Sequence, residues 1–196
     1  RFIFGKNSSK LIKDFRGTFF KRYEMALILS GYIHHSSGIP FSGIVGSGTN
    51  SVKVKNFWGT SDTVSLDQEY FQNQEGGFGQ YYRTAMMAMG IIDEQEEPRL
   101  VYRLTERGKA LAEAYQASIS GTRYFHNLES NGQISQINKR DAEEYAQVGC
   151  LCPDAINRGQ DRRLLLDTFF RLDEPLNNNN AHVRRRNSLG VALDIV

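Results

Sequence analysis

The chain has 196 residues, of which 40% are hydrophobic and 23% are charged, and its formal net charge is +2. This length can bury a core in one domain or two small ones, and we expect two. No apolar run approaches the roughly 20 residues that span a bilayer, which excludes a membrane protein, and the small net charge does not by itself indicate nucleic-acid binding.

The N-terminal part combines a basic segment with a helix. Residues 1–17 are basic and weakly patterned, so we predict a basic N-terminal arm. The chain starts with Arg1 and stops inside an apolar pattern, and we expect it to be a segment of a longer protein. From Thr18 onward apolar residues recur at helical spacing, which predicts a helix that ends near His34.

Residues 39–77 follow neither a helical nor a strand period, and they are rich in Gly, Ser, Thr and Asn. A loop of this length is unusual unless it carries a function, and we interpret it as a long insertion. Within it, Gly46–Ser51 could present backbone N–H groups to a phosphate. That segment lacks the Gly-Lys-Ser/Thr ending of a P-loop, so a flexible turn is the better interpretation.

Residues 78–118 give the clearest pattern in the chain. Gln80–Met89 has helical spacing, and Gly90 supplies a left-handed stop. The residues predicted to face inward are Tyr82, Ala85, Met86 and Met89.

A hairpin and a second helix follow. The predicted tip is Asp93–Pro98, and Arg99–Leu104 alternates as the returning strand. Thr105 is a suitable N-cap for a helix over Glu106–Ser118, in which Gly108 permits a close approach.

This order of elements resembles the second half of a winged-helix (helix-turn-helix) domain. A helix ending in Gly-Ile-Ile is followed by a wing and by Leu-Thr-Glu-Arg-Gly-Lys-Ala-Leu-Ala. The resemblance covers residues 78–118 and implies a DNA-binding fold. The chain as a whole, with Gly-Gly-Phe-Gly-Gln-Tyr-Tyr before the helix, is similar to uncharacterised bacterial proteins associated with DNA restriction and phage defence.

The composition changes after Ser118. Residues 119–136 are predicted to be a polar connector between domains, and residues 137–196 an all-helical domain. Asn138 and Asp141 resemble the capped start of a helix over Lys139–Val148. Two further helices are predicted at Gln160–Arg171, with Leu165, Leu166 and Phe169 inward, and at Ala181–Val196.

The predicted fold class is therefore α+β and mostly helical. It combines a winged-helix domain over residues 18–118, which carries a small β-hairpin wing, with the C-terminal all-helical domain.

Cys150 and Cys152 are separated by one residue. That spacing suits neither a mutual disulfide nor the usual cysteine pair of a structural zinc site, which has two to four intervening residues. We expect buried thiols in a reducing, cytoplasmic compartment, with no metal and no other cofactor. The histidines that could complete a mixed zinc site, or a Cys-His nucleophile pair, are His34, His35, His126 and His182.

Donor side chains that read base edges and phosphates give the predicted DNA-binding residues. They are Gln80, Tyr81, Arg83 and Thr84 on the helix, Arg99 and Arg103 on the hairpin, and Lys10, Lys13 and Arg16 on the arm. The predicted function is non-catalytic binding of double-stranded DNA. The chain would act in transcription regulation or as the DNA-recognition part of a restriction or phage-defence machine.

Two alternatives stay open. The acidic stretch Asp93–Glu97 would repel phosphates, which favours a protein–protein interaction module in a multi-subunit assembly, with residues 137–196 available to a protein partner or a homodimer. The second alternative is a nuclease, because Asp154 and Asp161-Arg162-Arg163 loosely resemble the acid, gap, acid-x-Lys pattern of restriction nucleases. Arg163 cannot act as a base, so we assign no catalytic residue.

Overall fold

The computed structural model describes residues 18, 20–35, 58, 61–67, 76–94, 102–131, 134–152, 159–172, 184 and 186–188. Over these ranges the chain is mostly helical with two small antiparallel sheets, so the predicted α+β class is confirmed. None of the helices in them has the length and apolar character needed to cross a membrane. The predicted arm, and most of the insertion and of the last helix, lie outside the described residues.

The elements follow one another along the chain, and a π-helical turn runs directly into the second helix. In order they are α1 (Phe20–His34), β1 (Thr63–Ser65), the π turn (Phe78–Tyr82), α2 (Arg83–Ala88), β2 (Ile92–Glu94), β3 (Tyr102–Leu104), α3 (Glu106–Ile119), α4 (Arg123–Asn131), β4 (Gln136–Asn138), α5 (Lys139–Gly149) and α6 (Gln160–Phe170). β1 pairs with β4, and β2 pairs with β3.

The described residues group into two compact units, and each unit is built from two separate stretches of chain. The first contains residues up to Arg83 together with 118–156, and the second contains 84–117 together with residues from 157 onward. The predicted ranges 18–118 and 137–196 each contribute to both units. These units therefore differ from the predicted consecutive domains.

The core of the first unit is the packing of α1 against α5, the most extensive contact between any two of the described elements. Small side chains make this approach possible: Ala26 on α1 and Ala142 and Ala146 on α5 are all fully buried. Leu29 is also fully buried, and the indole N–H of Trp58 donates a hydrogen bond of 3.4 Å to its carbonyl oxygen. Because α1 is apolar on more than one side, it lies inside the unit.

Three tyrosines extend this core. The Tyr124 ring lies 4.7 Å from that of Tyr145 and 6.2 Å from that of Tyr23, centroid to centroid. Burial raises the pKa of Tyr124, and the neighbouring Tyr23 raises it further. Burial also raises the pKa of Tyr23, an effect that its hydrogen bond with Tyr145 partly offsets. The phenols of Tyr23 and Tyr124 therefore stay neutral to a higher pH than an exposed tyrosine would.

The predicted connector, residues 119–136, is wrong. It contains α4 and the first residue of β4, because Tyr124 and Phe125 are buried although their neighbours are polar. The guanidinium of Arg123 ties α4 to α5, with ion pairs of 2.8 Å to Asp141 and 2.7 Å to Glu144. A short amphipathic helix has few apolar residues, so its composition resembles that of a linker.

The strand pair of the first unit was not predicted from the sequence. β1 lies within the predicted insertion, and Val64 faces Ile137 of β4 in register. The C-terminal domain was predicted to be all helical from residue 137. This is wrong for its first two residues, which belong to β4. A strand of three residues is too short for its alternation to be recognised in the sequence. Asn138 then caps α5 as predicted, because its side-chain oxygen accepts a 2.8 Å hydrogen bond from the Asp141 N–H.

The predicted helix, hairpin and helix are confirmed; the first helix begins in the first unit, and the residues from Thr84 to Ala117 belong to the second. Gly90 has φ 68°, and the N–H groups of Gly90 and Ile91 donate to the carbonyls of Met87 and Met86, which forms a Schellman motif. β2 and β3 then pair, with Asp93 opposite Arg103. The described residues stop at 94 and resume at 102, so most of the predicted tip lies outside them.

α3 begins at the predicted cap. The Thr105 hydroxyl accepts from the Gly108 N–H at 3.1 Å and donates to the Gly90 carbonyl at 2.6 Å. A Cβ atom at Gly108 would lie 2.0 Å from the Ile91 carbonyl oxygen, so the predicted close approach is real. The Thr105 cap and Gly108 together hold the start of α3 against Gly90 and Ile91, the two residues that precede β2.

Two predicted inward faces are wrong. Tyr82 and Ala85 are exposed, because the π turn adds residues per turn and shifts the phase of the helix that follows. In α6 the predicted inward residues Leu165, Leu166 and Phe169 are exposed. Asp161 and Thr168, seven residues apart and on one stripe, are buried instead.

Replacing Gly108 by alanine tests the close approach. An alanine in a helix is usually stabilising relative to glycine by about 1 kcal/mol, but here its Cβ would collide with backbone. We expect Gly108→Ala to lower the free energy of unfolding by about 1 to 3 kcal/mol in urea titrations. Gly121→Ala is the control, because no atom lies within 4 Å of the Cβ it would add. A neutral or stabilising Gly108→Ala would contradict the close approach.

Alkaline pH tests the buried tyrosines. Their pKa values are raised above the ordinary 10.0, so above about pH 10 the unfolded chain releases protons that the folded chain retains. Stability should therefore be complete below pH 10 and fall as the pH rises above it. Urea titrations from pH 8 to 11 should show a steeper loss in the wild type than in a Tyr23→Phe, Tyr124→Phe double variant. Equal slopes would show that these hydroxyls are not buried.

Candidate functional site

The helix predicted to contact DNA is held at its N-terminus by α1. The Glu24 carboxylate accepts hydrogen bonds from the N–H groups of Gly77 at 2.9 Å and Phe78 at 2.8 Å. The Phe20 and Phe78 rings lie 5.0 Å apart. A carboxylate at a helix N-terminus satisfies free amides and interacts favourably with the helix dipole. The start of this helix is therefore fixed to the core of the first unit.

Polar and aromatic side chains cover the solvent-facing side of this helix. Tyr81 is 52% exposed, and the Gln80 amide donates a 3.0 Å hydrogen bond to its hydroxyl. Thr84 is exposed as well, whereas Arg83 is only partly exposed. Three of the four residues predicted on the helix are therefore exposed, and Arg83 is less accessible than helical spacing suggested.

Exposed apolar residues share this helix. Tyr82 is 37% exposed and Met87 is 39% exposed. Side chains of this kind are typical of protein contact surfaces rather than of DNA-reading helices. The helix surface is therefore mixed in character.

The remaining predicted DNA contacts are divided. Arg103 is exposed on β3, directly opposite Asp93 on β2, so part of its charge is balanced locally. Arg99 of the hairpin and the three arm residues Lys10, Lys13 and Arg16 lie outside the described residues.

The residues of the nuclease alternative do not form a recognisable centre where they are described. Asp161 is buried in the first turn of α6, and its carboxylate accepts from the Arg162 N–H at 3.0 Å. The segment is a helix, whereas the restriction-nuclease pattern requires a strand hairpin. Asp154 lies outside the described residues.

A second cluster, in the first unit, brings together two histidines and two cysteines that the sequence offered as a possible mixed zinc site. His34 and His35 end α1, and Cys150 and Cys152 follow α5. One potential ligand atom from each of the four lies within 4.8 Å of the others. The Cys150 Sγ and His35 Nε2 atoms are 3.4 Å apart, and the two imidazole rings are edge-on with centroids 4.9 Å apart.

This His/Cys cluster (His34, His35, Cys150 and Cys152) is largely shielded from solvent. His35, Cys150 and Cys152 are between 3% and 8% exposed, and His34 is partly exposed. Both cysteines are free thiols. His126, which the sequence also offered as a ligand, is exposed on α4 and is not in the cluster.

The sequence offered these histidines as possible partners of the cysteines, but the one-residue spacing of the cysteine pair argued against a metal site. A usable signal was present: adjacent histidines and a Cys-x-Cys turn each follow a predicted helix end. What could not be derived was that these two ends meet.

Comparison of the chain with protein-family models, with curated protein sequences and with solved structures gives no match.

Proposed function

We propose that the chain is a non-catalytic double-stranded DNA-binding protein that uses the helix of residues 78–88 as its reading element. The observation that supports this is the local order of structure: a helix closed by a Schellman motif, an antiparallel hairpin and a capped helix. That order resembles the second half of a winged helix. Its role would be regulation, or DNA recognition within a larger assembly such as a restriction or phage-defence system.

The side chains of the helix suit this role chemically. Gln80 carries an amide that can both donate to and accept from a base edge, and Thr84 and Tyr81 carry hydroxyls for bases or phosphates. Arg83 supplies the positive charge, and Arg103 on the hairpin supplies a second one. Asp93 and Glu94 on β2 limit how closely the hairpin can approach a phosphate backbone.

A second candidate function is a protein–protein interaction module. The exposed Tyr82 and Met87 favour it, because they place apolar surface on the same helix. The acids of β2 favour it too, since they would not be repelled by a basic protein surface. The two functions differ in how binding depends on salt and on Arg83.

Fluorescence anisotropy with a mixed-sequence duplex at several salt concentrations separates them. Arg83→Ala should weaken binding by about 1 to 3 kcal/mol if the guanidinium reads a base. Arg103→Ala should mainly flatten the salt dependence, by about one unit of slope, if that residue meets a phosphate. Glu94→Gln should tighten binding, because one like charge no longer opposes the phosphates.

Arg140→Ala is the matched control, because it removes the same charge from an exposed position on α5. Its affinity for the duplex should stay near that of the wild type. Absence of binding even at low salt, or equal losses in the Arg83 and Arg140 variants, would contradict DNA reading by this helix and favour the interaction module.

A further inference from the structure

We propose that His34, His35, Cys150 and Cys152 bind one zinc ion in a structural site that fastens the end of α1 to the turn after α5. This reverses the sequence-based expectation of metal-free thiols, which rested on the spacing of the two cysteines although the histidines were recognised as possible ligands. The proposal is independent of DNA binding.

The donor set selects the metal. Two imidazoles and two thiolates form the Cys₂His₂ combination of structural zinc sites, and thiolate ligands disfavour magnesium and calcium. The charges of two thiolates and one Zn²⁺ cancel. A cluster with three members no more than 8% exposed can hold such a neutral centre without leaving a charge buried alone.

The distances fit a shared tetrahedral ion. Zinc bonds of about 2.3 Å to sulfur and 2.0 to 2.1 Å to nitrogen place neighbouring ligand atoms roughly 3.3 to 3.8 Å apart. The Cys150 Sγ to His35 Nε2 distance of 3.4 Å lies in that range, and no pair of the four atoms exceeds 4.8 Å. A small closing movement would bring all four to bonding distance.

The backbone explains how a Cys-x-Cys turn can supply two ligands. Cys150 is the C-cap of α5 and has φ −63° and ψ 135°, so the chain leaves the helix in an extended conformation. In extended chain, residues i and i+2 point to the same side. One intervening residue is therefore enough here, whereas a tighter loop would need two or more. Leu151 between them is 46% exposed and points away from the buried cluster.

The position of the cluster also favours a cation. It lies where the C-terminal ends of α1 and α5 meet, and a helix C-terminus carries partial negative charge. Because the two helices already pack against each other, the four ligands are held near one another before the metal binds. Metal binding would then add to the stability of this packing.

A Cys-His nucleophile is the competing interpretation of the 3.4 Å contact. Reactive cysteines are partly exposed so that a substrate can reach the sulfur, whereas Cys150 is 3% exposed. A nucleophile pair also needs only one cysteine and one histidine. The convergence of two of each is explained by a metal ion and not by a pair.

The experiment measures zinc by mass spectrometry in the full chain, expressed with added zinc and then dialysed. The wild type should carry about one zinc per chain. Cys152→Ser and His34→Ala should each lower that content at least about fivefold, since each removes one of four ligands. His126→Ala is the control, because it removes an exposed histidine outside the cluster, and it should retain the zinc.

Cobalt substitution needs only the wild-type chain, so it tests the site even if a ligand variant fails to fold. Wild-type chain loaded with Co²⁺ should show thiolate-to-cobalt charge-transfer absorption and the intense visible bands of a tetrahedral site. Removal of the metal with a chelator should lower the midpoint of thermal unfolding by about 10 °C. A folded wild type without zinc, zinc retained by both ligand variants, or bound cobalt without thiolate absorption would each overturn the proposal.

Discussion

The close packing of α1 on α5 is the interaction on which the rest of the first unit depends. Small residues are fully buried on both helices, Ala26 on α1 and Ala142 and Ala146 on α5, and small buried side chains let two helix backbones approach closely. A larger side chain at any of the alanines would force the helices apart or strain their rotamers. The tyrosines of α1, α4 and α5 complete this core with rings rather than with aliphatic side chains.

The two ends of α1 make separate contacts, while its middle is buried. Near its N-terminal end, Glu24 accepts hydrogen bonds from the N-terminus of the helix predicted to read DNA. At its last residues, His34 and His35 meet the turn that follows α5. A single buried helix thus positions the start of the helix of residues 78–88 and half of the His/Cys cluster. A perturbation of the α1–α5 contact should therefore affect both places together.

The sequence predicted best where a residue's local role sets the structure. Gly90 and Thr105 define a helix end and a helix start through their own conformation and hydroxyl, and both were placed correctly. It predicted least well where the structure depends on the phase of a helix or on contacts between residues far apart in the chain. The π turn moved Tyr82 outward, and α4 looked like a linker because few of its residues are apolar. The pairing of β1 with β4 joins residues more than 70 positions apart, and no local pattern encodes it.

The candidate site shows the same division. Gln80 and Thr84 are exposed as helical spacing predicted, so the sequence could place them. The His/Cys cluster depends on two helix ends meeting, which only the packing of α1 on α5 determines. Residue types were visible in the sequence, and their convergence was not.

Zinc K-edge X-ray absorption of the purified chain tests most directly the claim that this packing assembles a metal centre. The account predicts a first shell of two sulfur atoms at about 2.3 Å and two nitrogen atoms at about 2.0 to 2.1 Å. A shell of oxygen and nitrogen atoms without sulfur would contradict it.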